Sequence, residues 1–264
     1  MKVAFSFRKT ITLLVATLLL CSITLAISFF SKPNKAADPS NASSPQLILW
    51  AWERPTDLRF IDPTRVGVAF LAKSILLRSD DVLVRPRLQS LQLVEGTKVI
   101  AVTRIETDRD QKARLSARQR DAVSRAIADL AFLPNVSEIQ IDFDATKSER
   151  AFYRDLIKDV RSRLPAEFRL SITALASWCM FDDWISDLPI DEAVPMLFRM
   201  AGDGKHIMTR LDAGDDFKAT PCRQSYGISL DEQRPHLVPA RKLYVFNPDA
   251  WTETSLREIP ESTR

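Results

Sequence analysis

Glycine is scarce in this sequence, with 6 glycines in 264 residues. Phosphate-binding loops depend on closely spaced glycines, because a side chain would keep the backbone away from the phosphate. No glycine cluster follows the first predicted strand or the seventh and eighth. This argues against a nucleotide-binding protein and against a cofactor-dependent barrel enzyme, so we expect no cofactor.

Histidine is rarer still. The 2 histidines, His206 and His236, lie in different predicted loops, with no cysteine or acid at metal-ligand spacing beside them. The acidic loop at residues 212–216 lacks the alternating ligands and the distal glutamate of a calcium loop. Ser177 has no nucleophile-elbow glycines around it. The sequence therefore predicts neither a metal site nor a catalytic serine.

Net charge is also nearly absent from most of the chain. The formal charge of +3 equals the three cations Lys2, Arg8 and Lys9, because residues 1–30 contain no acid. A nucleic-acid-binding protein needs a concentrated basic patch. We therefore expect no nucleic-acid partner.

An uncharged run from Thr10 to Phe30 follows these cations. It is long enough to span a membrane as a helix, and the cations before it place the N-terminus in the cytoplasm. We expect a signal anchor at residues 1–31 in an inner membrane, a flexible linker at residues 32–46, and a folded part in the periplasm or outside the cell. A cleaved signal peptide, with secretion of the mature chain, is the alternative.

Cysteine is limited to 3 residues, of which Cys21 lies in the apolar run. Cys179 and Cys222 are left in the predicted folded part, and two cysteines in an oxidising compartment can pair. Such a disulfide would clamp the loop at residues 201–220. Two separate thiols are the alternative.

What the sequence does contain is a regular series of apolar segments between residues 47 and 251. The predicted strands cover residues 47–53, 66–71, 98–106, 136–144, 169–175, 192–198, 226–230 and 242–246. Amphipathic helices are predicted over 116–133, capped by Ser116, and over 148–164. A hairpin at 74–87 follows the second strand, a Gly- and Asp-rich loop spans 201–222, and Pro195 fits poorly in a central strand.

Eight such strands, separated by helices or long connections, predict a parallel sheet covered by helices. The strand count favours an α/β fold of the (β/α)8 TIM-like barrel type, with some helices shortened or replaced because the chain is short for that fold. An open doubly wound sheet is the alternative. We expect this domain to cover residues 47–251 and a C-terminal tail to cover residues 252–264.

The fourth predicted strand carries the strongest sign of a functional site. Its period of two puts Gln140, Asp142 and Asp144 on one face. In TIM barrels, polar residues at the C-terminal strand ends meet at the face that holds the active site. The candidate catalytic residues are Asp142, Asp144 and, in reserve, Glu53. The candidate substrate-binding residues are Trp52, Trp178, Arg199, Gln140, Glu232 and Arg104.

This mixture of acids, arginines and tryptophans suits carbohydrate. Sugar faces stack on indole rings, and glycoside cleavage uses two carboxyl groups, one as acid and one as base or nucleophile. Two aspartates separated by one residue can perturb each other's pKa. The alternative is that both aspartates merely cap helices or pair with Arg104 and Arg199.

The segments at residues 49–55, 140–145, 170–179, 194–200 and 244–248 resemble the bacterial family called domain of unknown function 3142. The resemblance covers residues 47–251 and implies an exported barrel related to glycoside hydrolases, without an established activity to transfer. A more distant likeness is to family 18 chitinases, whose fourth strand ends in Asp-x-Asp-x-Glu. Here Gln140 replaces the first Asp and Asp144 replaces the Glu, which shortens the acid by about 1.5 Å, a displacement that can cost orders of magnitude in rate.

Together these features predict an exported, membrane-tethered, glycoside-hydrolase-like protein that acts on an envelope or matrix polysaccharide. Asp144 would be the general acid and Asp142 would tune its pKa or stabilise positive charge in the transition state. Trp52 and Trp178 would form sugar platforms. The alternative is a non-catalytic carbohydrate-binding or envelope scaffold protein that keeps the barrel.

Overall fold

A computed structural model of the protein describes residues 46–259. Its strands are β1 (Leu47–Ala51), β2 (Thr56–Asp57), β3 (Val66–Arg78), β4 (Asp81–Pro86), β5 (Leu91–Gln92), β6 (Val99–Thr107), β7 (Val136–Asp142), β8 (Arg169–Leu175), β9 (Glu192–Met196), β10 (Ser225–Ser229) and β11 (Lys242–Phe246). Its helices are α1 (Ala117–Ala128), α2 (Arg150–Arg163), α3 (Ala176–Phe181), α4 (Gly204–Asp212) and α5 (Glu253–Arg257).

Eight parallel strands close into a barrel in the order β1, β3, β6, β7, β8, β9, β10, β11. The barrel is closed because β1 pairs in parallel both with β11, at Leu47 to Leu243, and with β3, at Leu47 to Val66. The predicted TIM-like barrel is confirmed, and the open sheet is excluded. The predicted N-terminal membrane or signal helix lies outside residues 46–259, and no helix within them is long and apolar enough to cross a bilayer.

The side chains of the barrel strands form two layers, one outside the barrel and one inside it, because successive residues of a strand point to opposite faces. Outward-facing residues such as Ile139 and Ile141 belong to the large core between the strands and the helices. Inward-facing residues such as Trp50, Val102 and Tyr244 form a second cluster in the lumen. The candidate site therefore rests on a filled interior.

The helices cover this barrel unevenly. A capping box between Ser116 and Gln119 starts α1, as predicted, and α1 and α2 bury apolar stripes that include Val123 and Leu156. By contrast, α3 has 6 residues and α5 has 5. No helix connects β10 to β11 in the described chain. The expected shortening and replacement of helices is thus confirmed.

Two local predictions need correction. The segment predicted as a loop at residues 201–222 contains α4, because Ile207 and Leu211 lie one helical turn apart and bury one face. The predicted break after Leu71 is a register shift within a continuous β3 of 13 residues, which pairs with the antiparallel strand β4. This hairpin extends one side of the barrel beyond its other strands.

Ion-paired side chains close the lumen at the N-terminal ends of the strands. Lys242 Nζ lies 2.6 Å from the Glu192 carboxylate, and Arg169 bridges Glu192 and Glu138 at 3.7 and 3.4 Å. Both glutamates are buried, and burial raises the pKa of Glu138. Charges at this depth need such partners, since an isolated buried carboxylate is costly. This end of the barrel is sealed.

Cys179 in α3 and Cys222 in the 3-10 helix Thr220–Gln224 form a disulfide, with their Cα atoms 5.9 Å apart. The backbone N–H groups of Lys218 and Ala219 also donate to the Cys179 carbonyl oxygen. The connection between α4 and β10 is therefore held to α3 by a covalent bond and by hydrogen bonds.

Candidate functional site

A pocket of about 400 Å³ opens at the carboxyl ends of the barrel strands. We call it the central pocket, and the side chains that define it are Trp50, Trp52, Arg104, Asp142, Asp144, Thr173, Phe198, Arg199, Met200, Asp203 and Phe246. Four predicted site residues, Asp142, Asp144, Arg104 and Arg199, are thus brought together with one predicted platform, Trp52.

Asp142 is the last residue of β7 and is 6% exposed. Its Oδ1 accepts a 2.6 Å hydrogen bond from the Thr173 hydroxyl, and its Oδ2 lies 3.5 Å from Arg104 Nη1. Burial raises the pKa of Asp142 to about 6, although Thr173 and Arg104 oppose the shift. A carboxyl with this pKa can hold or release a proton near neutral pH.

Asp144 lies in the loop after β7, at the mouth of the central pocket. Its carboxylate makes no ion pair or hydrogen bond with any other residue from 46 to 259. Partial desolvation raises the pKa of Asp144, although the Arg104 guanidinium opposes this. The loop itself is fixed, because the Glu149 carboxylate accepts 2.7 Å hydrogen bonds from the Thr146 backbone N–H and the Thr107 hydroxyl.

Arg104 links the acids to the aromatic wall. It projects from β6 opposite Asp142, its register partner on β7. Its Nε lies 2.9 Å from the Glu106 carboxylate, and its guanidinium lies 5.9 Å from the centre of the Trp52 ring. Arg104 is thereby held by two acids and a ring, and this fixes its position beside Asp142.

Aromatic side chains form the opposite wall of the central pocket. Phe198 and Phe246 stack with ring centres 5.7 Å apart and an interplanar angle of 4°, and Trp52 meets Phe246 edge to face. Trp50 lies below them, where its indole N–H donates a 2.9 Å hydrogen bond to Gln140 Oε1. The wall offers flat apolar surfaces opposite carboxyl groups, an arrangement that suits a sugar ring.

Arg199 closes one side of the mouth. Its backbone has a positive φ of 52°, a conformation that non-glycine residues rarely adopt. It is held there by ion pairs with Asp231, at 2.8 Å, and with Glu232, whose carboxylate also accepts from the Arg199 backbone N–H. Glu232 does not line the central pocket. In this structure Glu232 holds Arg199 in place, and its role in binding substrate stays a prediction.

Glu53 lies in a neighbouring cavity that we call the side hollow, lined among others by Trp52, Glu53, Arg85, Arg87, Arg104 and Glu106. Trp52 and Arg104 separate this hollow from the central pocket, since they line both. The reserve acid is therefore placed beside the pair of aspartates but outside their pocket.

Two residues predicted to bind substrate, Trp178 and Gln140, are buried. Trp178 is 4% exposed and packs edge to face against Trp184, with ring centres 5.0 Å apart, because α3 turns it into the outer core. Gln140 is fully buried in the lumen, where it bonds to Trp50 and to the Ser171 hydroxyl. Neither lines the central pocket, so the prediction that they contact substrate is corrected.

Several lining residues were missed from the sequence. Thr173 lies two residues beyond Ser171 on β8, so the period of two on that strand could have identified it. Phe246 ends β11 and could have been found by the same rule that selected strand ends. No pattern in the sequence identifies Asp203, because it is placed by α4 and the sequence predicts a loop in this segment.

No group of three or more histidine, cysteine or acidic side chains in the described chain is arranged to hold a metal ion. His206 instead packs on Phe181, with ring centres 5.2 Å apart. The central pocket itself is lined by carboxyl groups, arginines and aromatic rings.

Comparison with known proteins supports the family resemblance over part of the chain. Residues 95–196 match the model of the family described as domain of unknown function (DUF3142), and these residues contain Arg104, Asp142 and Asp144. The resemblance predicted from the sequence is confirmed over this range. No curated protein matches the chain.

Among solved structures, the barrel is similar to the chitinase domain of the spore coat protein CotE from Clostridium difficile. The two chains are 12% identical, with a TM-score of 0.39, and the match covers 76% of this chain and 64% of that one. This chain thus spans less than two thirds of the chitinase domain.

Proposed function

We propose that this barrel binds a polysaccharide in the central pocket and cleaves a glycosidic bond by carboxyl acid and base chemistry. The observation that carries the proposal is the pair Asp142 and Asp144, two carboxyl groups of raised pKa in one pocket that faces an aromatic wall. Glycoside hydrolysis commonly uses two carboxyl groups of different proton affinity on either side of the scissile bond.

Asp144 is the general acid in this proposal, because its carboxyl is unpaired at the mouth, where a glycosidic oxygen can approach it. Asp142 lies deeper, held by Thr173 and Arg104. Its carboxyl, whose pKa is about 6, stabilises positive charge that develops on the sugar when it is ionised. Trp52 and the stacked Phe198 and Phe246 bind the sugar faces.

A non-catalytic glycan-binding protein is the second candidate. It is favoured by the positions of two other acids, because the reserve acid Glu53 lies in the side hollow and Glu232 is paired with Arg199. Catalysis then depends on Asp144 alone as acid, and aspartate reaches about 1.5 Å less far than glutamate. Both candidates use the same binding surface.

We further propose that the barrel is exported and tethered to the membrane, facing an envelope or matrix polysaccharide. Support comes from the uncharged run Thr10 to Phe30 behind three cations, and from the Cys179–Cys222 disulfide, since disulfides persist in oxidising compartments. Fractionation of cells, with protease treatment of intact spheroplasts, tests this. A chain that stays protected inside spheroplasts would contradict it.

The catalytic proposal is tested with the full-length protein and a panel of envelope and matrix glycans. We expect Asp144→Asn to abolish turnover while retaining binding, and Trp52→Ala to weaken both. Glu167→Gln is the matched control, because Glu167 lies exposed between α2 and β8, away from the pocket. Unchanged turnover in Asp144→Asn would overturn the acid assignment. Pocket-dependent binding without turnover in the unaltered protein would establish the second candidate.

A further inference from the structure

The central pocket has an excess of carboxyl groups over cations. Three of its lining residues are acids, namely Asp142, Asp144 and Asp203, and two are arginines. Each arginine also forms ion pairs with acids outside the pocket lining. Arg104 pairs with Glu106, and Arg199 pairs with Asp231 and Glu232. Counted over the pocket lining and its ion-pair partners in residues 46–259, six carboxyl groups surround two guanidinium groups.

Asp144 and Asp203 are the acids that remain available to a ligand. In the described part of the chain, neither carboxylate makes an ion pair or a hydrogen bond with another residue. Asp203 precedes the first residue of α4, a helix of 9 residues, and its side chain does not cap that helix. Asp203 therefore presents a carboxyl group without a counter-ion from residues 46–259 at the mouth, and this holds whether or not Asp144 carries the proton of the proposed general acid.

The aromatic wall also favours a positively charged ligand. A ring face carries negative electrostatic potential, so a cation near Trp52, Phe198 or Phe246 is attracted, and the attraction increases as water is excluded. The Arg104 guanidinium, 5.9 Å from the Trp52 ring centre, already occupies one such face. A positively charged group on a ligand would find both carboxylates and ring faces within the same pocket.

The side hollow has more cationic than acidic side chains, unlike the central pocket. Lys73, Arg85, Arg87 and Arg104 line it, against the acids Glu53 and Glu106. Arg87 donates to backbone carbonyl oxygens, including that of Arg54 at 2.6 Å, rather than to a carboxylate. The negative potential is thus confined to the central pocket and does not extend over this whole face of the barrel.

We infer that the central pocket takes a glycan unit that carries a protonated amine, that is, an amino sugar without its acetyl group, with Asp203 as the counter-ion of the amine. This inference rests on the proposed function, whose substrate class it specifies. Asp203 is exposed to water in the free protein, and an N-acetylated sugar bound over its carboxylate would displace that water without supplying a charged partner. A uronic acid would be repelled by the same carboxylates that attract the amine.

The test compares four oligosaccharides of equal length on the full-length protein: glucosamine, N-acetylglucosamine, glucose and galacturonate oligomers. Binding is measured by calorimetry in a slightly acidic, low-salt buffer that keeps the amine protonated. We expect the glucosamine oligomer to bind about tenfold more tightly than its acetylated form, as for a charged hydrogen bond. This preference should shrink as salt is added, because salt screens the exposed carboxylates.

Variants of Asp203 test whether this residue causes the preference for the protonated amine. Asp203→Asn should reduce the preference for the amine about threefold or more, Asp203→Glu should retain it, and Glu167→Gln should leave it unchanged although it removes the same charge from the molecule. Equal reduction by Asp203→Asn and Glu167→Gln would overturn the assignment to Asp203, because it would show attraction to overall charge.

The remaining outcomes separate this inference from the proposed function. Binding of the acetylated, neutral or anionic oligomer as tightly as the amine would overturn the inference alone and leave a glycan-binding pocket. Absence of binding by all four oligomers would overturn the proposed function together with the inference.

Discussion

Thr173 Oγ1 donates a 2.6 Å hydrogen bond to Asp142 Oδ1 inside the barrel mouth, across the strand pair β7 and β8. A donor at this position stabilises the ionised form of a carboxyl group that burial would otherwise keep protonated. Burial outweighs both Thr173 and the Arg104 guanidinium, so the pKa of Asp142 is raised to about 6.

Asp142→Asn should stabilise the protein at neutral pH. The pKa of Asp142 is raised from 3.8 to about 6 in the folded protein, so the folded state binds the proton more tightly than the unfolded chain. The cost of ionising Asp142 is absent below about pH 4, grows as pH rises, and reaches about 3 kcal/mol above pH 6. Urea unfolding of both proteins over this pH range measures it. An equal difference in stability at all pH values would contradict the prediction.

Thr173→Val should raise the pKa of Asp142 above about 6, because valine keeps the shape of threonine but removes the donor that lowers this pKa. Carbon-detected NMR of the carboxyl group, assigned by comparison with Asp142→Asn, measures the titration. Thr173→Ser is the control, since serine retains the hydroxyl. A pKa of Asp142 that does not change in Thr173→Val would show that the Thr173 hydrogen bond does not lower it.

Gly227→Ala should destabilise the barrel from within. A Cβ atom at Gly227 would lie 3.0 Å from Trp50 Cη2 and 3.2 Å from the carbonyl oxygen of Pro195, so Trp50 would have to move. Overpacking of this kind costs about 1 to 3 kcal/mol. Thermal unfolding measures the loss, and Gly202→Ala is the control, because a Cβ there meets nothing within 4 Å. Equal stability of the two variants would refute the close contact.

Replacement of Cys179 and Cys222 by serine should lower the free energy of unfolding by about 2 to 4 kcal/mol, because the disulfide closes a loop between residues 43 positions apart. Urea unfolding with and without a reductant measures the effect. The reductant should destabilise the unaltered protein and leave the serine variant unchanged. A reductant that has no effect on the unaltered protein would mean that the disulfide contributes nothing to stability.

The barrel strands were predictable because each is an apolar run with clear ends, and Asp142 was predictable because period-two alternation places it inward at the end of β7. Trp178 was misplaced for a physical reason. It follows β8 directly, but α3 begins at Ala176, and a helical turn rotates the next side chains away from the direction set by the strand. Strand alternation cannot be extended across such a boundary.

Gln140 and Glu232 show a different limit of prediction from sequence. Gln140 lies in β7 and Glu232 follows β10, as predicted, but their partners are distant in sequence, Trp50 for Gln140 and Arg199 for Glu232. Only the folded arrangement shows which partners such a polar side chain meets. Asp203 was missed because its segment was taken for loop, although Ile207 and Leu211 carry helical spacing.

The sealed N-terminal end of the lumen limits how a ligand can reach the central pocket. Lys242, Glu192, Arg169 and Glu138 block one end of the barrel, and Trp50 bonded to Gln140 fills the middle. Any ligand of the central pocket therefore enters and leaves through the same mouth, beside Asp144 and Arg199. Under the proposed function, a long glycan would have to lie across this mouth, because it could not thread through the barrel, and each cleaved piece would have to leave by the route through which it entered.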